Sequence, residues 1–597
     1  MFTSRFPLKK LMTLHNNNSF FFYNTFALDS PSFPTLRSRK DTYVDKTDAI
    51  AELLSSDEGM YRTTRIFFAR PRKFGKSLTL DVAAEMLSAG ALPRGVTPWP
   101  GYIPVDVDAL FSGLDVYNRY RRQDQTLRGL LDRSHFVIKL DLGVAQSGVD
   151  LKAAIYDGLS NIAYTSFGNL VEAKVRAAGT PGGAISALIS AVPLGVPIAL
   201  FVDEYDAAII QDVSESNWDS AKLGIKTLRS LLMSTKASGI GNRIEKCIVT
   251  GVARFTHTSF FSGANNFVDF TDSPIISRAI GFSEEEIRTV YPAELQRLAR
   301  NLHKNVDGAI AELARWYNGY CFDGKTSCFN PFPVLLALRT GNISEKEMEA
   351  ASGTNWLSLT PDAIVNGLAK EMVQTNQISL LKIDIADLEA KRIGVVPLLL
   401  QTGLLSLVVG KPSTVCSAPN EYARQSLQKM ISTALLTKQS TLMSMTNALQ
   451  SRDRVAFSTE VKLLFERLPR TLFKRDSGGI VGPREAVYHA ALFSALKSTA
   501  PHGIDVQIQV SSLRGIADII IKFAADQMNP AVAWVFEIGV GNNCTPTSKL
   551  IQAQEYAIAL YEPNVYCCGI VVKSLSSLTR INGSNKVIEI EWSSKKV

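Results

Sequence analysis

Paired cysteines are the first thing this sequence does without. Its seven thiols, Cys247, Cys321, Cys328, Cys416, Cys544, Cys567 and Cys568, form no CxxC pair and have no histidine at zinc-ligand spacing. That excludes a disulfide framework and a zinc finger, and points to reduced, mostly buried thiols of an intracellular protein. Long apolar runs are scarce too. Two uncharged stretches, 177–202 and 393–410, approach membrane-span length, but Gly182, Gly183, Pro193 and Pro197 break the first and Pro397, Gln401 and Gly403 the second. No membrane segment is expected. Acid is nearly absent from the first forty residues, where Arg5, Lys9, Lys10, Arg37, Arg39 and Lys40 face only Asp29. A segment of that composition reads either as a disordered arm or as a mitochondrial transit peptide, on a chain otherwise expected in the cytoplasm or nucleus. It also accounts for more than half of the formal net charge of +8. The remaining body is nearly neutral, which argues against a strong electrostatic nucleic-acid binder.

With 46% hydrophobic and 20% charged residues over 597 positions, the chain reads as a soluble protein of several domains. Four segments are expected: a basic arm over 1–40, an α/β domain over 41–335, a helical linker over 336–474, and a second α/β unit over 475–597. In the first α/β region, apolar runs at Arg65–Ala69, His135–Asp141, Ile198–Val202 and Lys246–Thr250 alternate with helical patterns at Leu78–Leu87 and Leu151–Ile162. Such alternation predicts a parallel sheet covered on both faces. Helical periodicity then dominates in Glu284–Ala299, Asp307–Tyr317 and Val461–Leu468. The last unit reads αβββαβ: a helix at Arg484–Leu496, strands at Val506–Val510, Ile516–Phe523 and Ala531–Ile538, a helix at Ser548–Leu560 and a strand at Val565–Val572.

Chemistry enters at Arg70-Pro71-Arg72-Lys73-Phe74-Gly75-Lys76-Ser77, between an apolar strand and a helix. Gly75-Lys76-Ser77 stands where a P-loop ends. In such a loop the backbone N–H groups of residues such as Arg72 to Leu78 cradle phosphates at a helix N-terminus, the lysine reaches the β- and γ-phosphates, and the hydroxyl binds Mg²⁺. The pattern GxxxxGK[ST] begins with glycine, whereas this loop begins with Arg70. A second strand, Ile198–Val202, delivers Asp203 and Glu204 to its C-terminal end. There Asp203 would hold Mg²⁺ and Glu204 would polarise the attacking water. Thr250 ends a third strand and is a candidate sensor of the γ-phosphate; Arg254 is a weaker candidate for reading phosphate charge.

Several pieces share one order and spacing: Tyr43-Val44-Asp45-Lys46-Thr47, the Arg70–Ser77 loop, Phe201-Val202-Asp203-Glu204-Tyr205-Asp206, Thr250-Gly251-Val252, Phe261–Asn266, Trp316–Tyr320 and Asn330-Pro331. In this combination the chain resembles the AAA-ATPase-like family, whose loop usually reads Arg-Pro-Arg-Arg/Lys-Phe-Gly-Lys-Ser. The resemblance makes Arg70 a family trait and implies an ASCE-type P-loop NTPase fold with ATP as the nucleotide. It gives the Trp316–Tyr320 segment no chemistry beyond aromatic packing and a turn, and likens Leu398–Val409 to the helix-Gly-strand piece that follows the ATPase. The linker is expected to include a winged-helix-like module.

Members of that family often carry a C-terminal PD-(D/E)XK nuclease-like domain of restriction-endonuclease-like fold, and residues 484–573 match its outline. The resemblance implies that Glu485, Asp518 and Glu537 converge on one or two divalent ions. Such a site normally has Glu-x-Lys, and this sequence has Glu537-Ile538-Gly539. Little or no Mg²⁺-dependent nuclease activity is then expected, unless Lys549 on the following helix supplies the ammonium; its other reading is a solvated surface lysine. Two functions stay open. One is an ATP-hydrolysing protein whose nucleotide state controls a nuclease-fold domain acting on or binding DNA or RNA. The other is a nucleotide-dependent switch, with a protein partner or as a homo-oligomer, carrying a catalytically dead nuclease fold.

Overall fold

The computed structural model describes residues 32–55, 57–58, 61–62, 64–122, 124, 130–215, 217–236, 239–254, 266–343, 399–407, 409, 416–423, 426, 439–468, 488–489, 491–493, 495–496, 504–512, 515–523, 531–541, 543–558, 564–574 and 586–593. Glu485, the greater part of the expected linker and residues 261–265 of the Phe261–Asn266 motif lie outside them.

Strand β1 (Arg65–Ala69) is buried at every position, as is β3 (Ile198–Asp203). Strands covered on both faces read as near-continuous apolar runs, so these show no alternation and carry charge only at their ends, at Arg65 and Asp203. With β2 (Phe136–Asp141), β4 (Ile244–Gly251) and the two-residue β5 (Val268–Asp269) they form one sheet in the order β2-β3-β4-β1-β5, parallel throughout. The strand carrying the loop, β1, and the strand carrying Asp203, β3, are therefore separated by β4. Helices α2 (Thr47–Ser55) and α3 (Lys76–Ser88) cover one face through Ile50, Leu53, Leu80 and Met86. On the other face α4 (Leu151–Phe167), α5 (Pro181–Ala191) and α6 (Trp218–Met233) bury Ile155, Leu159, Leu188 and Leu228.

A described helix lies ahead of the expected boundary at 41. Helix α1 (Phe33–Arg39) has a Ser32 cap and Pro34 in its first turn, and it buries Phe33 and Leu36. The buried Asp81 carboxylate of α3 accepts the Phe33 N–H and pairs with Lys139 at 2.6 Å. Charge composition of the arm concealed this short docking element.

Beyond the sheet, the expected single helix Glu284–Ala299 is interrupted. It runs over Glu284–Val290 and restarts as α7 (Pro292–Asn301), because Pro292 has no N–H to continue the ladder. With α8 (Val306–Tyr317) and α9 (Pro331–Thr340) these helices close over Ile287, Leu298, Leu313 and Val334. A short antiparallel pair, Tyr320–Cys321 with Ser327–Cys328, lies between α8 and α9.

The C-terminal unit is a second five-stranded sheet: β6 (Ile504–Ser512), β7 (Gly515–Phe523), β8 (Val532–Val540), β9 (Val565–Ser574) and β10 (Lys586–Trp592), paired in that order. All pairs are antiparallel except β8 with β9, which a crossover through α11 (Pro546–Ala557) makes parallel. Strand β10 was not among the expected elements; its Lys586-Val587-Ile588-Glu589-Ile590-Glu591 run alternates as an edge strand does. Leu550, Ala553 and Ala557 of α11 pack on one face, while α10 (Arg454–Arg467) and the helical residues 488–489, 491–493 and 495–496 cover the other.

Candidate functional site

The loop Arg70–Ser77 turns from the end of β1 into α3. Lys73 (φ 64°) and Gly75 (φ 97°) both take the left-handed region, the kind of alternation that shapes anion-cradling loops. Glycine adopts it freely, whereas Lys73 is held there, with its ammonium 4.6 Å from the Phe332 ring. Phe74 is buried and serves the loop as an anchor. Tyr320 and Phe322 meet its ring edge-on at 4.8 and 5.7 Å. The segment that sequence left without chemistry thus buttresses the loop. Arg70 is buried as well, stacked 4.0 Å over Phe322 and donating to the carbonyls of Ala69 and Thr271. It stands behind the loop as a packing group. Arg72 is exposed at the loop's rim, and Leu78, in the first turn of α3, is partly buried.

Lys76 opens α3 with its ammonium buried, donating to the Pro71 carbonyl at 3.1 Å. Burial lowers its pKa, and the charges of Asp203, Asp206 and Glu204 work against that shift. Its neighbour Ser77 lies beside the Asp203 side chain, where its hydroxyl favours the ionised carboxylate. Burial raises Asp203's pKa, opposed by Ser77 and Lys76. A hydroxyl and a carboxylate in contact, beside a cation, are oxygen donors of the kind Mg²⁺ takes, so these residues fit a nucleotide-bound magnesium. Glu204 follows with φ 47°, a strained conformation for a residue with a side chain, and its pKa is raised by burial with Lys76 opposing. The Arg70–Ser77 loop and the Asp203-Glu204 pair therefore stand together at one end of the sheet.

Three supporting residues escaped sequence reasoning. Asp141 ends β2 opposite Asp203 and accepts the Gly143 N–H at 2.9 Å. Gly143 itself leaves room for Glu204: a β-carbon there would lie 2.3 Å from the Glu204 Oε2. Asp206, fully buried, accepts the N–H of Val252 at 2.9 Å and that of Ala253, so it ties the start of the turn after β3 to the end of β4. Burial pushes its pKa up to about 6 against those two N–H groups and Lys76. The Phe201–Asp206 motif supplied the Asp206 signal, but spacing alone gave it no role.

The two candidate sensors are placed differently from their expected roles. Thr250 is buried and its hydroxyl donates to the Phe68 carbonyl at 2.9 Å, within the sheet. Arg254 pairs with Asp269 at 2.6 Å and Asp272 at 2.8 Å. Those two carboxylates outweigh burial and raise its pKa. Its backbone N–H donates to Gln401 Oε1 at 3.0 Å, and a β-carbon on Gly403 would lie 3.0 Å from Pro71 Cγ. The piece at 399–407 thus packs against the loop.

In the C-terminal unit, Asp518 on β7 and Glu537 on β8 hold each other crosswise. Asp518 N–H donates to Glu537 Oε1 at 3.0 Å, and Ile538 N–H donates to Asp518 Oδ2 at 2.8 Å. His489 Nε2 lies 3.2 Å from Asp518 Oδ2, a neighbour no motif pointed to. Burial, then Asp518, pushes Glu537 up to about 8. Lys549 Nζ stands 3.8 Å from Glu537 Oε2 with its side chain only 17% exposed. It is not a solvated surface lysine. Two adjacent carboxylates are suitable oxygen ligands for a divalent cation, yet among the described residues no three His, Cys, Asp or Glu side chains converge as a metal site.

A parallel five-stranded sheet that presents the Arg70–Ser77 loop beside Asp203 and Glu204 fits a P-loop-like domain. Comparison with known proteins agrees for that part: residues 29–91 and 106–261 match the family model described as "Predicted AAA-ATPase". Over those residues the chain is similar to that family. A protein of Azotobacter chroococcum mcd 1 described as "Uncharacterized protein in vnfD 5'region" is 24% identical over 512 residues, 82% of this chain and 86% of its own length. That likeness extends past the part the family model covers. Among the described residues, no helix is long and apolar enough to cross a membrane.

Proposed function

We propose that the chain binds and hydrolyses ATP with Mg²⁺ at the Lys76, Ser77, Asp203 and Glu204 site of an ASCE-type P-loop domain, and that nucleotide state controls a C-terminal nuclease-fold domain that acts on or binds nucleic acid. The observation that carries the reading is the contact of Ser77 with Asp203 beside the buried Lys76 ammonium. In this reading Lys76 neutralises phosphate charge, and Ser77 and Asp203 hold the magnesium with ATP. Bound there, Mg²⁺ would offset the negative charge of the β- and γ-phosphates. Glu204 orients the attacking water and receives its proton.

The crossing of the 399–407 piece onto Pro71 and Arg254 supports control of the distal half, since a shift of the loop is felt there first. Taken without Lys549, Gly539 favours the second reading, a nucleotide-dependent switch without nuclease chemistry. Steady-state ATP turnover of the full chain, with and without DNA or RNA, separates the two. Strong stimulation supports an enzyme acting on nucleic acid; turnover indifferent to nucleic acid supports the switch, and no turnover at all contradicts both hydrolytic versions.

A further inference from the structure

We propose that Lys549, carried on α11, supplies the catalytic ammonium of a phosphodiester-cleaving centre with Asp518 and Glu537, in place of the side chain that position 539 lacks. The inference rests on reading the C-terminal unit as a nuclease fold. Residues 537 and 539 share one face of β8, because side chains alternate along a strand. A β-carbon built on Gly539 would lie 2.8 Å from Lys549 Cε and 3.3 Å from its Cγ. The lysine chain therefore runs through the volume a side chain at 539 would fill, and its Nζ ends 3.8 Å from Glu537 Oε2. A side chain at 539 would therefore displace the Lys549 chain from its present path.

Local structure fixes this placement. Thr545 caps α11 by accepting the Ser548 N–H, and Leu550, next to Lys549, is buried against the sheet. A lysine on an exposed helix face ordinarily keeps its charged end in water; this one points to a buried carboxylate that is 4% exposed. The crossed backbone bonds of Asp518 and Glu537 fix the two acids on adjacent strands, and His489 approaches Asp518 from the opposite helix layer. A lone acidic pair would repel a phosphodiester. The ammonium gives that surface a donor for a phosphoryl oxygen, where negative charge grows as the reaction proceeds. The step is hydrolysis: the water oxygen bonds to phosphorus and the P–O bond to one ester oxygen breaks. One water proton ends on the leaving oxygen and the other passes to solvent. A divalent cation held by Asp518 and Glu537 would supply further positive charge at the phosphate.

The test uses the full chain with labelled single- and double-stranded DNA and RNA in Mg²⁺, alongside Mn²⁺ binding by calorimetry and thermal melting to check folding. The wild type should cleave. Lys549→Ala and Lys549→Gln should lose about 10²- to 10³-fold in rate while still binding Mn²⁺, and Asp518→Asn should lose both. Adding Gly539→Lys to Lys549→Ala should restore cleavage, because the space and the strand face are then available to a lysine at 539. Folded lysine variants that cleave as fast as the wild type overturn the role of Lys549 and leave the nuclease reading standing. A wild type that neither cleaves nor binds Mn²⁺ overturns both; one that binds Mn²⁺ but cleaves no substrate overturns this proposal alone.

Discussion

A β-carbon on Gly143 would lie 2.3 Å from the Oε2 of Glu204. The loop after β2 therefore sets where the carboxylate can stand, although no motif marks that loop. Gly143→Ala should push Glu204 out of position while leaving the Lys76 loop intact. ATP affinity is expected to hold and turnover to fall about 10²-fold, the scale of a misplaced catalytic group. Single-turnover kinetics beside equilibrium nucleotide binding checks this; a parallel loss of affinity would show that Gly143 shapes the pocket instead.

Asp206 gives a stability prediction at the same end of the sheet. Its carboxylate satisfies the buried N–H groups of Val252 and Ala253, and a side chain at Gly251 would meet Asp206 Oδ1 at 2.2 Å. Asp206→Ala leaves two buried donors without an acceptor, at a cost of about 1 to 3 kcal/mol for each. Gly251→Ala should be destabilising through the clash. Chemical denaturation should show both variants less stable than the wild type, and Asp206→Asn, which keeps one acceptor, nearer to it.

Glu85 on α3 carries the pH dependence. Burial, reinforced by Asp81 and offset by Lys139, raises its pKa to about 7 from an ordinary value of 4.5. A carboxyl whose folded pKa is raised favours the folded state when protonated, so its contribution is full below about 4.5 and is lost as pH rises through about 7. Glu85→Gln, which cannot ionise, should raise the melting temperature at pH 8, and the gain should shrink steadily toward pH 5. A gain independent of pH would assign the effect to packing.

The strands of the nucleotide sheet were legible because β1 and β3 are buried on both faces and stand out as apolar runs; Arg65–Ala69 has the ends the sequence implies. The Lys76, Ser77, Asp203 and Glu204 group was legible for a similar reason, since each lies at the end of a strand or the start of a helix. What spacing could not reveal depends on distant chain segments. Phe74 is held by Tyr320 and Phe322, Glu204 needs Gly143, and Lys549 fills the space over Gly539. Thr250 looked like a sensor because it ends a strand, yet its hydroxyl turns to the neighbouring strand's carbonyl. Helix α1 was hidden in a basic segment because two buried side chains leave little periodicity to read.

The central claim is that Lys76 and Glu204 divide binding from hydrolysis, and the direct measurement is ATP affinity and turnover for wild type, Lys76→Ala and Glu204→Gln under one set of conditions. Lys76→Ala removes the buried ammonium at the loop and should abolish productive ATP binding. Glu204→Gln leaves the Ser77–Asp203 contact in place and should bind ATP normally while turning it over about 10²- to 10⁴-fold more slowly. Equal ATP affinity in Lys76→Ala and wild type, or unchanged turnover in Glu204→Gln, would contradict the assignment.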